Sequence, residues 1–428
     1  MIFMIIATVY SIERRKRDLD LFSPYSVFLL VFALLFAIKP LEIIFYREHN
    51  EMILMWALIY VVVGLLSFLM GYYFIFGAQF GKAIDPLPDR WRNDKTRIIC
   101  VISIILGLVT YILIIKITDI GGIMGAFTNM WQFRLRAFTE GRAYLAMLTQ
   151  FFLSVPLVIW FIELLKRPRL KVWEWFPFIA YLMVILFIFM SFGVRGMPIN
   201  VIISLLISYH YLKRRIPVVV LGVIVAGIIF FIMFAGLYRA AAIENTPVPE
   251  VLMQLSEIPA QSYLSVFLDR IDALPNFMTV LEGFPTSSMD FGYGSTFLNF
   301  IVQPFPRSIF PEKPYLIGDL FTQQFFPSDY GWVTKDPSIF GELYMNLHIG
   351  GIVLGMFLLG MICRIFQAYI EKNRNNKGVI LFYTQVFGFP AFYLNTGFNS
   401  STTIGFLFCL VFVLVFLNLI RSKELKQS

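Results

Sequence analysis

Two kinds of side chain in this 428-residue sequence have the type and placement to do chemistry: a few solitary arginines, and one acid at the mouth of a long apolar run. Arg307 lies in FPRSIFPEKP between Pro306 and Pro311, whose rings restrict the backbone and hold the side chain in a defined place. Arg195 sits in FGVRGMP, a turn so short that its guanidinium must lie at a membrane surface or within a helix bundle, where an unpaired cation is expensive and calls for an anionic partner. Arg270 falls opposite the apolar face made by Leu264, Phe267, Leu268 and Ile271, on an expected helix from Gln261 to Leu274 that Pro275 ends. A loop helix packed on a bundle with a solvated Arg fits the same pattern. Arg239, in AGLYRAAA, reads as an interfacial anchor beside Tyr238 or as a further phosphate contact, and Lys313 follows Arg307 in the same proline-rich stretch. Guanidinium forks bind phosphate oxygens with paired, charge-assisted hydrogen bonds, and they stabilise charge that grows on a leaving phosphate.

Glu342 is the acid. In PSIFGELYMNLHIGG it stands four residues before Asn346, so both side chains project from one helix face. A partly buried carboxylate there suits a general base acting on a hydroxyl. An acid favoured by the helix dipole, with Ser338 as cap, explains the same pattern. His348 points to another face and reads as a packed or headgroup-level histidine, while Asp336 and Asp290 are substitute acids.

Composition sets the frame that must position these groups. With 58% hydrophobic, 17% aromatic and 14% charged residues, and a mean hydropathy of +0.75, the chain has too little polar surface to cover a soluble globule. It is expected to be an all-α polytopic membrane protein. A net charge of +8 would suit nucleic acid, but the basic residues fall in short clusters between apolar runs, so no nucleic-acid partner is expected. Cys100, Cys363 and Cys409 lie inside apolar runs, and His49, His210 and His348 are far apart, so neither a disulfide framework nor a metal site is indicated.

Ten clear spans are expected near 24–45, 52–77, 98–117, 143–165, 172–193, 197–212, 216–237, 343–366, 378–397 and 404–420. Met1–Ile12 is a short eleventh, or an interfacial helix. Most of the Lys and Arg, including RRKR at 14–17, Lys213 to Arg215 and Arg374, alternate onto one side, which the positive-inside rule makes cytoplasmic. The chain then divides into an N-terminal bundle over 1–237, one large external loop over 238–337 and C-terminal helices over 338–428, integrated as one membrane domain. The loop is too short and apolar for a separate soluble domain, and its prolines and aromatics suggest short interfacial helices. No internal repeat of the kind that builds inverted-repeat transporters is visible.

External arginines at headgroup level suit a substrate carried on a polyprenyl pyrophosphate, and the outer loops hold no Asp-x-Asp signature. The combination of GVRGMPINVII at Gly193–Ile203, FPRSIFPEKP at Phe305–Pro314 and PSIFGELYMNLHIGG at Pro337–Gly351, on an eleven-span frame with one late outer loop, resembles the O-antigen polymerases. Arg307 to Gly318 matches the Arg, ten residues, Gly spacing described in related polymerases and ligases. The resemblance implies a GT-C-like, metal-independent glycosyltransferase of the bacterial cytoplasmic (inner) membrane, without cofactors. It would act on undecaprenyl-pyrophosphate-linked oligosaccharide repeat units at the outer face, in O-antigen, lipopolysaccharide or capsule-type polysaccharide assembly. A chain-length regulator and a flippase of the same pathway are the implied partners. Arg195, Arg239, Arg270, Arg307 and Lys313 are then candidates to hold pyrophosphate, with Glu342 and Arg307 catalytic. An O-antigen ligase and a lipid-linked oligosaccharide flippase or other transporter are the alternatives.

Overall fold

The computed structural model describes residues 20–46, 49–138, 142–167, 171–244, 271–286, 290–303, 305, 309–330, 333–398 and 400–422. Among them the chain is helical, without a strand. Seven helices are long and apolar enough to cross a membrane: Pro24–Phe45, Glu51–Tyr73, Asn93–Thr118, Ala143–Lys166, Val172–Ser191, Ser338–Lys372 and Thr403–Ile420. Each matches a span expected from the sequence, and together they make an all-α, multi-pass membrane protein. Of the other expected spans, 197–212 is the 17-residue helix Gly196–Leu212 and 216–237 falls within Val218–Glu244. The span expected over 378–397 is instead two helices, Lys377–Val386 and Phe389–Thr396. Pro390 supplies the reason: it sits in the first turn of the second helix, where its missing N–H costs nothing. Met1–Ile12 lies outside the described residues.

The chain folds as two compact units, the first made of Met1–Asp85, Leu268–Lys372 and Phe387–Phe408. Its axis is Ser338–Lys372, which packs along Glu51–Tyr73 and Ile75–Ala83. Small residues permit that closeness: a Cβ on Gly71 would strike the Phe357 carbonyl, and one on Gly360 the Phe68 carbonyl. Beside this seam an aromatic core forms, with Phe28 stacked on Phe68 at 3.4 Å between ring centroids and Phe340 edge-on to Phe36 at 4.9 Å.

Ser338–Lys372 is not one straight rod. Leu347 (φ −142°, ψ 26°) and His348 (φ 54°, ψ −145°) break it. In a straight helix Leu343 and Gly351 would stand about 12 Å apart along the axis. Here the Leu343 carbonyl lies against Gly351 and its side chain against Gly355. The segment 338–346 therefore folds back over the first turns of the apolar helix, which corrects the expectation of a helix entering the membrane without pause. Gly351 follows the break and leaves room for it, since a Cβ there would strike the Leu343 carbonyl.

The large loop supplies short helices to the same unit, Ala273–Gly283, Ser295–Val302 and Ile317–Phe325. The helix expected to end at Pro275 falls mostly outside the described residues, and its last part is corrected: Ile271 and Asp272 are non-helical and a helix begins at Ala273. Pro275 stands in its first turn, a position that tolerates proline as well as the end of a helix does.

The second unit comprises Pro86–Phe267, Asn373–Val386 and Cys409–Ser428. Asn93–Thr118 packs on Ala143–Lys166, which in turn meets Val172–Ser191 and Gly196–Leu212. Its apolar core includes Ile114, Phe133, Leu153, Leu157, Ile185 and Phe192. Hydroxyls tie the helices across this core, Tyr111 to Ser191 at 2.9 Å and Thr149 to Thr110 at 2.8 Å. Lys377 pairs with Glu163 at 2.7 Å.

Candidate functional site

Glu342 lies in the folded-back segment of the first unit, and its side chain is fully buried. Oε1 accepts a hydrogen bond from Thr296 Oγ1 at 2.8 Å. Oε2 is buried without a hydrogen-bond partner among the described residues; the Phe398 N–H faces the carboxylate without completing good hydrogen-bond geometry. Leaving a buried acceptor unpaired costs about 1–3 kcal/mol, more for a charged group, so such an atom calls for an explanation. Phe297 and Tyr393 pack on Phe398 at 5.6 and 4.8 Å between ring centroids and help cover the acid.

Gly397 faces Oε2. Its backbone (φ 80°, ψ −169°) lies in a region that L side chains rarely adopt, and a Cβ there would collide with the carboxylate oxygen. It follows Phe389–Thr396, whose C-terminus it ends, with its N–H donating to the Tyr393 carbonyl at 2.9 Å. Only a residue without a side chain lets the chain pass this close to the acid.

Asn346, also fully buried, fixes the opposite wall. Its Nδ2 donates to Thr296 Oγ1 and to the Glu342 carbonyl, both at 2.8 Å, and its Oδ1 accepts from the Gly294 N–H at 2.9 Å. The Gly292 and Tyr293 N–H groups donate to the carbonyls of Met345 and Asn346 at 3.0 and 3.1 Å. The segment 292–296 is thereby fastened to the end of the folded-back helix, and the shared face expected of Glu342 and Asn346 is what fastens it. Ser338, expected as a cap, starts the helix with φ 64° and reaches the Gly341 N–H only at 3.5 Å. His348 is exposed, with its ring against Tyr344 at 4.5 Å between centroids.

A second polar pair in this unit was passed over in the sequence. Lys39 and Glu42 form an ion pair at 2.7 Å with side chains 1% and 5% exposed, inside the apolar stretch Pro24–Phe45. It follows a π-helical turn, Leu34–Ile38, just before Pro40, whose missing N–H disturbs the regular ladder. The signal was present in AIKPLE: two opposite charges three residues apart within an otherwise apolar run.

The expected phosphate-binding residues fall in different places. Arg307 and Arg270 lie outside the described residues. Arg195 belongs to the second unit, where it is half-buried at the start of Gly196–Leu212. Arg239 lies within Val218–Glu244, which runs one turn beyond it instead of closing there. Lys313 is in the first unit, and its ammonium donates to the carbonyls of Gln303 at 2.6 Å and Phe305 at 3.1 Å. Gly318 is needed for packing, since a Cβ would lie 2.6 Å from Asp336 Oδ1. Among the described residues no three His, Cys, Asp or Glu side chains gather as a metal site.

No family model, curated protein or solved structure matches this chain. Its function is therefore argued from its own residues. The first unit presents a buried carboxylate, aimed by a threonine, walled by an asparagine-clasped loop and a glycine turn, in a broken-helix region of a membrane protein. Non-helical backbone within a membrane protein is tolerated where it is buried in protein or lines a cavity, which is where membrane proteins hold polar substrates.

Proposed function

We propose that this chain is a membrane glycosyltransferase that joins lipid-pyrophosphate-linked oligosaccharide repeat units into O-antigen or capsule-type polysaccharide at the outer face of the bacterial inner membrane. The observation that carries the reading is Glu342 Oε2, a buried acceptor without a partner on a carboxylate whose other oxygen is held. In this mechanism Glu342 takes the proton from a hydroxyl on the non-reducing end of a new lipid-linked unit. That oxygen attacks the reducing-end sugar of the growing chain, the glycosyl–phosphate bond breaks, and the lipid pyrophosphate leaves with the bonding electrons. Arg307, with Arg270 and Lys313 as further candidates, stabilises the charge gathered on the leaving group. The resemblance of its motifs to O-antigen polymerases and the all-α, multi-pass frame support the assignment.

A transport reading has one observation of its own. The buried Lys39–Glu42 pair beside a π-helical turn is the kind of intramembrane charge that marks substrate or ion pathways. Deleting the gene in its host and resolving surface polysaccharide on a gel separates the readings. Core bearing a single repeat unit is the expected result; core bearing none excludes polymerisation and leaves a ligase or a flippase.

A further inference from the structure

The second unit carries a concave basic site that the chemistry above does not use. Gly196–Leu212 ends in Lys213, Arg214 and Arg215, and the chain just before Lys377–Val386 brings up Arg374. With Tyr211 among their neighbours, these four cations line one cleft of about 300 Å³, at the small end of the range for ligand pockets. No carboxylate is among its described lining residues.

Two of its cations, Lys213 and Arg374, are held in place. Lys213 Nζ donates to the Leu165 carbonyl at the end of Ala143–Lys166, at 3.2 Å. The Arg374 guanidinium lies over the Tyr211 ring, 5.7 Å from its centroid, and Tyr211 leans edge-on against the buried Tyr383 at 6.0 Å. His210, itself buried, accepts the Ile216 N–H on Nδ1 at 3.2 Å and fixes the turn that carries the three basic residues. Basic loops that only report topology need neither a cleft nor cations fixed around it from two distant stretches of chain.

We infer that this cleft binds a phosphate-bearing anion. Guanidinium forks match phosphate oxygens in pairs, and the lysine adds a point charge beside them. Two sources supply that chemistry at a membrane surface: the headgroup of an anionic phospholipid, and a soluble phosphate ester or pyrophosphate.

The test uses the full-length protein in phosphatidylcholine nanodiscs at about 150 mM salt, where exposed charges are screened beyond roughly 8 Å. One arm titrates inorganic pyrophosphate and follows thermal unfolding; the other counts phosphatidylglycerol retained in native mass spectra. Saturable binding in the first arm assigns a soluble ligand, and retention in the second alone assigns a lipid headgroup. Arg214→Gln and Arg374→Gln should each weaken whichever binding occurs by about tenfold or more. Lys95→Gln with Arg97→Gln, which removes two exposed cations elsewhere in the same unit, should leave it unchanged. Absence of saturable binding in both arms, or equal weakening by the Lys95 and Arg97 pair, overturns the site.

Discussion

Thr296 donates to one oxygen of Glu342 at 2.8 Å and accepts from Asn346 at the same distance. A single hydroxyl thus sets the rotation of the carboxylate and joins it to the loop that walls it in. With Oε1 so engaged, Oε2 points toward Gly397, whose lack of a side chain lets the backbone pass close against it. The carboxylate is thus fixed in orientation before any hydroxyl reaches Oε2, which is fully buried.

Gly397→Ala tests that close approach. The added methyl meets two obstacles, a backbone conformation open almost only to glycine and the carboxylate itself. Strain of this kind costs about 1–3 kcal/mol, and relief requires the acid to move. The variant should melt several degrees below the parent and lose most polymer. Gly350→Ala, where a Cβ would have no neighbour within 4 Å, should do neither. Equal behaviour of the two in thermal unfolding and on polysaccharide gels would remove the role given to Gly397.

Asn346→Ala tests the clasp. It deletes three hydrogen bonds from a fully buried group and leaves the Gly294 N–H without its acceptor. A loss of about 1–3 kcal/mol is expected, with the effect concentrated locally. Hydrogen exchange resolved by peptide should show faster exchange over 290–296 than over Glu51–Tyr73. Uniform acceleration through the unit would mean that Asn346 supports the fold as a whole and not this loop.

Seven spans were legible because the hydropathy of a long run is summed residue by residue and needs no knowledge of partners. The shared face of Glu342 and Asn346 was legible for a similar reason, being a matter of helical spacing alone. The fold-back at Leu347–His348 was not, because LHIGG runs without interruption into the apolar helix after it, and the reversal depends on Gly351 and Gly355 admitting Leu343. Thr296 stood 46 residues from Glu342, a separation no local pattern bridges. Pro390 and Gly397 did carry a local signal for a broken helix, but the apolar run around them outweighed it.

The Lys39–Glu42 pair should be strongly coupled. Neutralising either partner leaves a charge in an apolar interior, at a cost of about 3–5 kcal/mol, whereas replacing both with apolar side chains is often nearly neutral. Lys39→Met and Glu42→Leu should each lower the melting temperature sharply, and the double variant should recover most of the loss. A double-mutant cycle on purified protein measures the coupling. If the double variant also polymerises normally, the pair is structural and the transport reading loses its support.

Arg307→Lys separates a positioned guanidinium from a mere positive charge. The ammonium offers no fork for two parallel bonds to phosphate, and each charge-assisted bond lost is worth about 1.5–3 kcal/mol, or one to two orders of magnitude in rate. Equal amounts of membrane-inserted protein on a blot, with short or absent polymer, is the expected result. The same swap at Arg90 should leave the ladder intact. A full-length ladder from Arg307→Lys would mean that its prolines hold an ordinary surface residue.

Glu342→Gln is the most direct test, because it alters the chemistry of the site with little change of shape. The amide oxygen can still accept from Thr296, so the clasp through Asn346 has no reason to open and the protein should melt close to the parent. What disappears is the ability to take a proton, which for a general base contributes about two to four orders of magnitude in rate. Thr296→Val makes the complementary change, keeping the acid but releasing its aim, and should give an intermediate loss. The readout is the polysaccharide ladder of a deletion strain carrying each variant, beside blots for membrane-inserted protein and melting curves of the purified chains. A graded series, with Gln lowest and Val between Gln and the parent at unchanged stability, is what a positioned base requires. A normal ladder from Glu342→Gln would leave the buried acid as a structural hydrogen-bond acceptor, and the proton would then have to go to another acid, with Asp336 and Asp290 the first to examine.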